Sequence, residues 1–480
     1  MIYEKERKRI CCIIPPYYRL IESKNNRLTP AMHYVAECLY RRGHEVLYVN
    51  GDYGDDSLDY SDRISMKENS WLFEERYKNG HESYDQLLQV VKEFNPDIVF
   101  ISAGDVLLPT VEIASTQSCG IVARMIKEKI GKEVICVGYG HLLKYAKDED
   151  KKYLDYTMVT EGEVQAINIV EGREQFAGDA EWCTNMDELP ILTDRYIYNK
   201  PKAEDWDYIM SMRGCPNRCT FCFQPSMRGC NVSMMSPERF VREIRYRIEN
   251  YGTKGFYFSD MIFLPYSGQR TNEMLDRLLQ LKKEFPDFNW WAESRVDTMA
   301  DKACLEKMKA SGCRHLKFGV EMANQEMLNV VKKGINLAEI KRIFKLTKEC
   351  GIERTAYVLL GCPGFEDNDY REMCSFFKEI EAENYVININ VPYIGTQLYE
   401  QVKDKLREFG IMTGGEESYI HTSTKIQEFW GISDETVNMF FALQGKKDDS
   451  NVRRYKSKIV NKKKYIEEGK VEYIKSSGIE

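Results

Sequence analysis

Apolar and polar positions along the chain fall into two long stretches in which short apolar runs alternate with amphipathic segments, the pattern of strands and helices in turn. In the first stretch, residues 10–14 form an apolar run stopped by Pro15-Pro16 and read as a buried strand. Thr29 and Pro30 then open a helix whose apolar face is Met32, Val35, Ala36 and Leu39, and Gly43 closes it. Further strands are expected at 45–49, 97–102, 133–137 and 156–159, with helices over 84–94, 111–130 and 163–170. Residues 51–80 read as a long polar loop. This order predicts an α/β domain over residues 1–172, a doubly wound parallel sheet with helices on both faces. Ligands of such sheets bind beyond the carboxyl ends of the strands. Here that edge is formed by the loops 15–28, 51 onward, 103–109, 138–141 and 160–163.

The segment 173–207 has weak periodicity and contains Leu189-Pro190 and Lys200-Pro201, so it reads as a linker. The alternation resumes at 208, with strands near 208–212, 255–259, 288–293, 315–320, 355–360 and 386–391. Helices are expected near 237–250, 270–284, 301–310, 336–350, 367–382 and 396–409. Ser236-Pro237 marks one helix start and Gly351 one helix end. Six strand–helix units over 208–400 predict a partial (β/α)6 barrel, whose functional residues gather at the carboxyl ends of its strands. Phe429, Trp430, Phe440 and Phe441 point to a small, mostly helical C-terminal domain over 401–480.

Composition narrows the picture. Net charge is −7, which gives the whole chain no nucleic-acid footprint, although residues 446–480 carry +5 and include Lys462-Lys463-Lys464. That tail reads as a solvated helical face rather than a docking patch. No apolar run approaches the ~18 residues that would span a bilayer. The charged start leads into only five or six apolar residues, too few for a secretory signal. The 15 cysteines are scattered rather than spaced as a disulfide frame, which fits a reducing cytoplasm.

Three of those cysteines carry chemistry. Cys215, Cys219 and Cys222 stand at Cys-x3-Cys-x2-Cys in a short loop after the first strand of the second stretch. Three thiolates can hold three irons of a four-iron cluster and leave the fourth open to a ligand. A zinc site is the alternative, but zinc takes four ligands and no second Cys pair stands near. Cys230 is the nearest further thiol and is expected to be free. No Gly-x-Gly-x-x-Gly with a following strand-end acid occurs, which argues against a dinucleotide site.

The Cys215–Cys222 loop, with Phe221 before its last cysteine, resembles the signature of the radical S-adenosyl-L-methionine (SAM) enzymes. Further on, Asp260 after the second barrel strand, Gly319-Val320-Glu321 at the fourth and Gly361-Cys362-Pro363-Gly364 at the fifth resemble one branch of that family. In that branch a cobalamin-binding, Rossmann-like domain precedes the radical domain. Asn95-Pro96-Asp97-Ile98-Val99, Val137-Gly138-Tyr139-Gly140-His141 and Glu161-Gly162-Glu163 resemble it.

The resemblance implies a four-iron four-sulfur (4Fe-4S) cluster on Cys215, Cys219 and Cys222, with SAM chelated at the open iron. It implies SAM contacts from Phe221, Asp260, Glu293, Arg295 and Glu321. It implies cobalamin contacts from Ser102, Gly104, Asp105, Gly138, Tyr139, Gly140, His141, Glu161 and Gly162. The cobalamin motif Asp-x-His-x-x-Gly is absent, so cobalamin is expected without a histidine ligand, its lower face near Val106, Leu107 and Leu108. An empty sheet domain used only for packing is the bland alternative. His141 is more readily a surface residue than a contact, and Cys362 a core residue rather than a substrate-side thiol. The implied activity is methylation of an unactivated carbon of a small, natural-product-type substrate, through a 5′-deoxyadenosyl radical and methylcobalamin. Electrons would come from an external flavodoxin- or ferredoxin-type donor; no membrane or nucleic-acid partner is implied. A radical rearrangement, cyclisation or oxidation, or a non-catalytic sensor, are the other readings.

Overall fold

The computed structural model describes residues 6–22, 26, 28–54, 71–104, 114–172, 183–199, 206–265, 268–298, 301–411, 424–444, 457–460, 462–468 and 473–477. The first domain is a five-stranded sheet in the order β2-β1-β3-β4-β5, parallel throughout. Its strands are β1 (Arg9–Ile14), β2 (Glu45–Asn50), β3 (Ile98–Ser102), β4 (Ile135–Tyr139) and β5 (Tyr156–Met158). Both faces are covered, so alternate residues of one strand enter different cores. Cys11, Ile13, Val99 and Ile101 pack toward the helices Glu82–Phe94 and Ala114–Lys129. Ile10, Cys12, Ile14 and Phe100 pack toward Pro30–Arg41 and Glu163–Val170. Asp97 fixes the register by accepting the Arg9 amide at 2.7 Å.

Within 51–80 the structure corrects the expected loop. A helix spans Trp71–Asn79 and buries Leu72, Phe73 and Arg76. A single apolar turn among charges hides its period, and burial against the helix Ala114–Lys129 and the turn Arg19–Ile21 rather than intrinsic pattern makes it a helix. The linker is also less free than its composition suggests. Tyr48 and Tyr198 amides bond the Tyr196 and Tyr48 carbonyls at 2.7 and 2.9 Å, which adds residues 196–198 to the edge of β2.

The second domain is a six-stranded parallel sheet in the order β13-β12-β11-β10-β9-β6. These strands are β6 (Trp206–Ile209), β9 (Gly255–Phe258), β10 (Asn289–Ser294), β11 (Cys313–Glu321), β12 (Glu353–Leu360) and β13 (Asn384–Ile389). A short antiparallel pair, β7 (Met212–Arg213) with β8 (Ser233–Met234), brackets the cysteine loop. Sequence order equals spatial order, as in an incomplete barrel. Phe256, Phe258, Trp290, Ala292, Leu316, Phe318, Ala356 and Val358 face the helices and are fully buried. The residues between them are half-buried and largely polar: Tyr257, Trp291, Glu293, His315, Lys317, Gly319, Glu321 and Tyr357. A parallel sheet normally buries both faces in apolar side chains. The period-two polarity therefore marks a lumen open to solvent. Residues 424–444, expected in a separate domain, contribute Ile426, Trp430, Ile432 and Phe440 to the barrel's core. No helix among the described residues is long and apolar enough to cross a membrane.

Candidate functional site at the domain seam

The cysteine loop leaves the end of β6 and is shaped from behind by Asp260. This carboxylate accepts the Ser211 amide (2.7 Å), the Met212 amide (2.8 Å) and the Ser211 hydroxyl (2.6 Å), and the residue is 1% exposed. Both oxygens are engaged, so Asp260 positions the strand that feeds the loop and does not line the lumen, where the sequence placed it as a SAM contact. Burial raises its pKa to about 6 against those hydrogen bonds. Folding therefore takes up a proton between the ordinary carboxylate range and about pH 6. The stability contributed by this group falls as pH rises through that window. Asp260→Ala should cost about 2–4 kcal/mol in urea unfolding, because two buried amides lose their acceptor. Asp260→Asn keeps an acceptor and should recover most of that loss.

The three thiols share the loop and interact electrostatically. Cys219 is buried, and Cys215 and Cys222 are half-buried. Burial pushes Cys222 up to about 12 and also raises Cys219; Lys333 opposes the shift at both, and Arg295 at Cys219. A bound cation would reverse this cost, since coordination deprotonates a thiol outright. The Arg295 Nη1 lies 3.9 Å from Cys219 Sγ. Its Nε and Nη2 are held by Asp297 at 2.9 and 2.8 Å, and Nη2 also donates to the Lys333 carbonyl at 2.6 Å. Lys333, which the sequence reading missed, pairs with Glu321 Oε1 at 2.8 Å and lies 5.9 Å from the centre of the Phe221 ring. Glu321 has φ 65° at an irregularity in β11. A Cβ on Gly319 would stand 2.6 Å from both partners of that ion pair. Gly319 thus makes room for the pair at the mouth of the lumen. Phe221, Arg295 and Glu321 converge there with the cysteines, while Glu293 lies deeper on the inner face.

Among the described residues no three His, Cys, Asp or Glu side chains are grouped to hold a single ion. Cys230 donates to the Asn217 carbonyl at 3.7 Å as a free thiol beside the loop. Cys362 is 1% exposed and belongs to the core. The neighbouring Gly361, at φ 116°, leaves space for the Trp430 ring, which a Cβ would meet at 2.6 Å.

The loop also touches the first domain. Phe223 and Met227, just after the last cysteine, pack in one cluster with Tyr139 and Leu142 beyond β4. His141 sits in this seam, its ring centre 5.0 Å from that of Phe223. It is 5% exposed, not the surface residue its loop position suggests. Its Nδ1 pairs with the Val159 carbonyl at 3.1 Å and its Nε2 is buried without a partner. Burial lowers its pKa, which keeps the ring neutral. With Nδ1 as the donor, Nε2 is a buried acceptor that no described residue fills.

The other expected cobalamin residues divide. Ser102 donates to the Gly104 carbonyl at 2.9 Å, and a Cβ on Gly140 would stand 2.5 Å from the Ala103 carbonyl. Those close approaches bring the β3 and β4 loops together. Gly138 makes room for Leu143 and Leu154. The Tyr139 hydroxyl accepts the Gly162 amide at 3.1 Å. Glu161 turns away from the sheet edge. It meets Arg213 at 3.1 Å and Arg228 at 2.9 Å and accepts the Cys183 amide, so it serves a buried ion cluster between domains. Asp105 and residues 106–109 lie outside the described residues.

Comparison with known proteins agrees with this geometry. Residues 209–377 match the family model of the Radical SAM superfamily. Aligned to an uncharacterized methyltransferase of Pyrococcus horikoshii, the chain is 25% identical over 66% of its own length and 72% of the relative's. It is 23% identical to an anaerobic magnesium-protoporphyrin IX monomethyl ester cyclase of Cereibacter sphaeroides, over 68% of this chain but only 56% of that one. The solved structure of the radical SAM methyltransferase TsrM from Kitasatospora setae, with cobalamin and its iron–sulfur cluster bound, superposes with a TM-score of 0.62. That match covers 92% of this chain and 90% of TsrM at 13% identity, a likeness of fold. The protein is an α/β enzyme with a Rossmann-like domain ahead of a radical SAM domain. In fold, this order of domains is similar to that of TsrM.

Proposed function

We propose that this chain binds a 4Fe-4S cluster, SAM and cobalamin, and methylates an unactivated carbon of a small organic substrate. The observation that carries this reading is the seam: the loop of Cys215, Cys219 and Cys222 continues directly into Phe223, whose ring centre lies 5.0 Å from that of His141 and 6.4 Å from that of Tyr145 at the carboxyl edge of the Rossmann-like sheet. Bound on its two sides, these groups would supply one-electron reduction, hydrogen abstraction and a transferable methyl. The donor sets fit them. Three thiols suit three irons. The Glu321–Lys333 pair and Arg295 at the lumen mouth offer both signs of charge to a zwitterion. His141 Nε2 offers an acceptor to the carboxamides that rim a corrin.

The test is product analysis with anaerobically reconstituted protein and an external low-potential donor of the flavodoxin or ferredoxin type. Methyl transfer predicts 5′-deoxyadenosine and S-adenosylhomocysteine together. Deoxyadenosine alone would favour rearrangement, cyclisation or oxidation, a reading supported by the likeness to the cyclase. Neither product, with cluster and corrin bound, would favour a sensor. A cytoplasmic location follows from the same proposal, since an oxygen-sensitive cluster and 15 cysteines require a reducing environment.

A further inference from the structure

The inner face of the barrel holds an arrangement that the cysteine loop and the lumen mouth leave unused. Tyr257 on β9 and Tyr357 on β12 both donate to Glu293 Oε1 on β10, each at 2.8 Å. One strand, β11, separates β10 from β12, and the bond passes over it. There the residue in register with Tyr357 is Gly319, which has no side chain to block it. The three side chains therefore form a floor that spans four strands. Tyr257 is locked in place: its ring stacks on Trp291 at 3.7 Å and meets Tyr208 edge-on at 5.0 Å. Burial and the Glu293 charge raise both tyrosine hydroxyls far above their ordinary range, so they stay protonated and donate to that carboxylate.

Glu293 itself is half-buried, and no Lys, Arg or His among the described residues forms an ion pair with it. Its Oε2 takes no hydrogen bond from any described residue. A carboxylate partly out of water and held by two neutral donors has no cation in direct contact with it, although Lys317 stands in register with it on β11. The Lys317 ammonium already lies 4.2 Å from the centre of the Trp291 ring, so a further amine is read by the free carboxylate oxygen.

We infer that Glu293, over the floor of Tyr257, Tyr357 and Trp291, reads a protonated amine, so that the substrate is an amine-bearing compound. The inference rests on the barrel being the substrate chamber of the proposed enzyme. SAM also carries an ammonium group, and the experiment separates the two sources. Holoenzyme is prepared anaerobically, and binding of SAM, then of 2-phenylethylamine and of 3-phenylpropionate with SAM saturating, is measured by equilibrium dialysis. The amine should bind at least ten-fold more tightly than the carboxylate. Glu293→Gln should bring the two within about three-fold and leave SAM binding unchanged. Tyr357→Phe, which keeps the ring, should weaken the amine several-fold and provides the same comparison if the Gln variant does not fold. Equal binding of the two probes by the wild type, or a preference that survives in both variants, overturns the inference. So does a ten-fold loss of SAM affinity in Glu293→Gln with amine binding intact, which assigns Glu293 to SAM. Failure of the wild type to bind SAM at all would instead strike the functional proposal.

Discussion

Replacing Arg213 by Met should destabilise the protein by about 3–5 kcal/mol in urea unfolding, the usual result of removing one partner from a buried ion cluster. Arg213 lies on β7, immediately ahead of the cysteine loop, with its side chain 1% exposed. Its Nη1 meets Glu161 at 3.1 Å and its Nη2 meets Glu163 at 2.6 Å, while its guanidinium lies 4.8 Å from the centre of the Tyr34 ring. Arg228 completes the cluster through Glu161 at 2.9 Å. Two arginines and two glutamates balance; without Arg213 the seam holds a net negative charge away from water. Glu163→Gln in the Arg213→Met background should recover part of the stability, because it restores neutrality. If the single variant unfolds within about 1 kcal/mol of the wild type, the cluster does not couple the domains.

This cluster also shows what the sequence conveyed and what it withheld. Local signals were sufficient for the elements. The apolar run before Pro15-Pro16, the Ser236-Pro237 helix start and the strand-end glycines report conformations that neighbours in sequence decide. The helix Pro237–Tyr251 begins where that start signal placed it, with Ser236 accepting the Arg239 amide. The cysteine triple was legible because its spacing is local. Glu161 was visible as a strand-end acid, yet its partners, Arg213 and Arg228, lie 52 and 67 residues away, and no local pattern announces them. Lys333 was invisible for the same reason: only the turn of β11 at Glu321 brings its ammonium back to the loop. The inner-face residues could have been found. Phe256-Tyr257-Phe258 and the alternation from His315 to Glu321 have period two, where a fully buried parallel strand would be apolar throughout. Reading only strand ends passed over Tyr257 and Tyr357. Nor does a strand-end position say which way a carboxylate turns, and the bonds of Asp260 to Ser211 and Met212 were not legible.

The largest effect on the site is expected from the smallest change, Gly214→Ala. Gly214 joins β7 to Cys215 at φ 88°, in the left-handed region that costs an L side chain about 1–2 kcal/mol. A Cβ there would stand 2.1 Å from the carbonyl oxygen of Asn231. That atom is backbone and belongs to the segment returning to β8, which is hydrogen-bonded to β7 through the Arg213–Ser233 register. It cannot rotate aside as a side chain would, so the loop must open where the three thiols are gathered. The Asp260 hydrogen bonds hold the other end of the loop at Ser211 and Met212, and the strain concentrates on the cysteines between. Iron and sulfide content after anaerobic reconstitution should fall at least ten-fold, with secondary structure by circular dichroism retained, because neither sheet depends on this turn. Gly229→Ala is the control. It shares a positive φ of 63°, but a Cβ there meets nothing nearer than the Asn231 side chain at 3.9 Å. Backbone strain alone should leave it with nearly full cluster content. Equal cluster loss in both variants would mean that strain, not the Asn231 contact, governs the loop; full occupancy in Gly214→Ala would mean that the thiols bind iron without the closed turn.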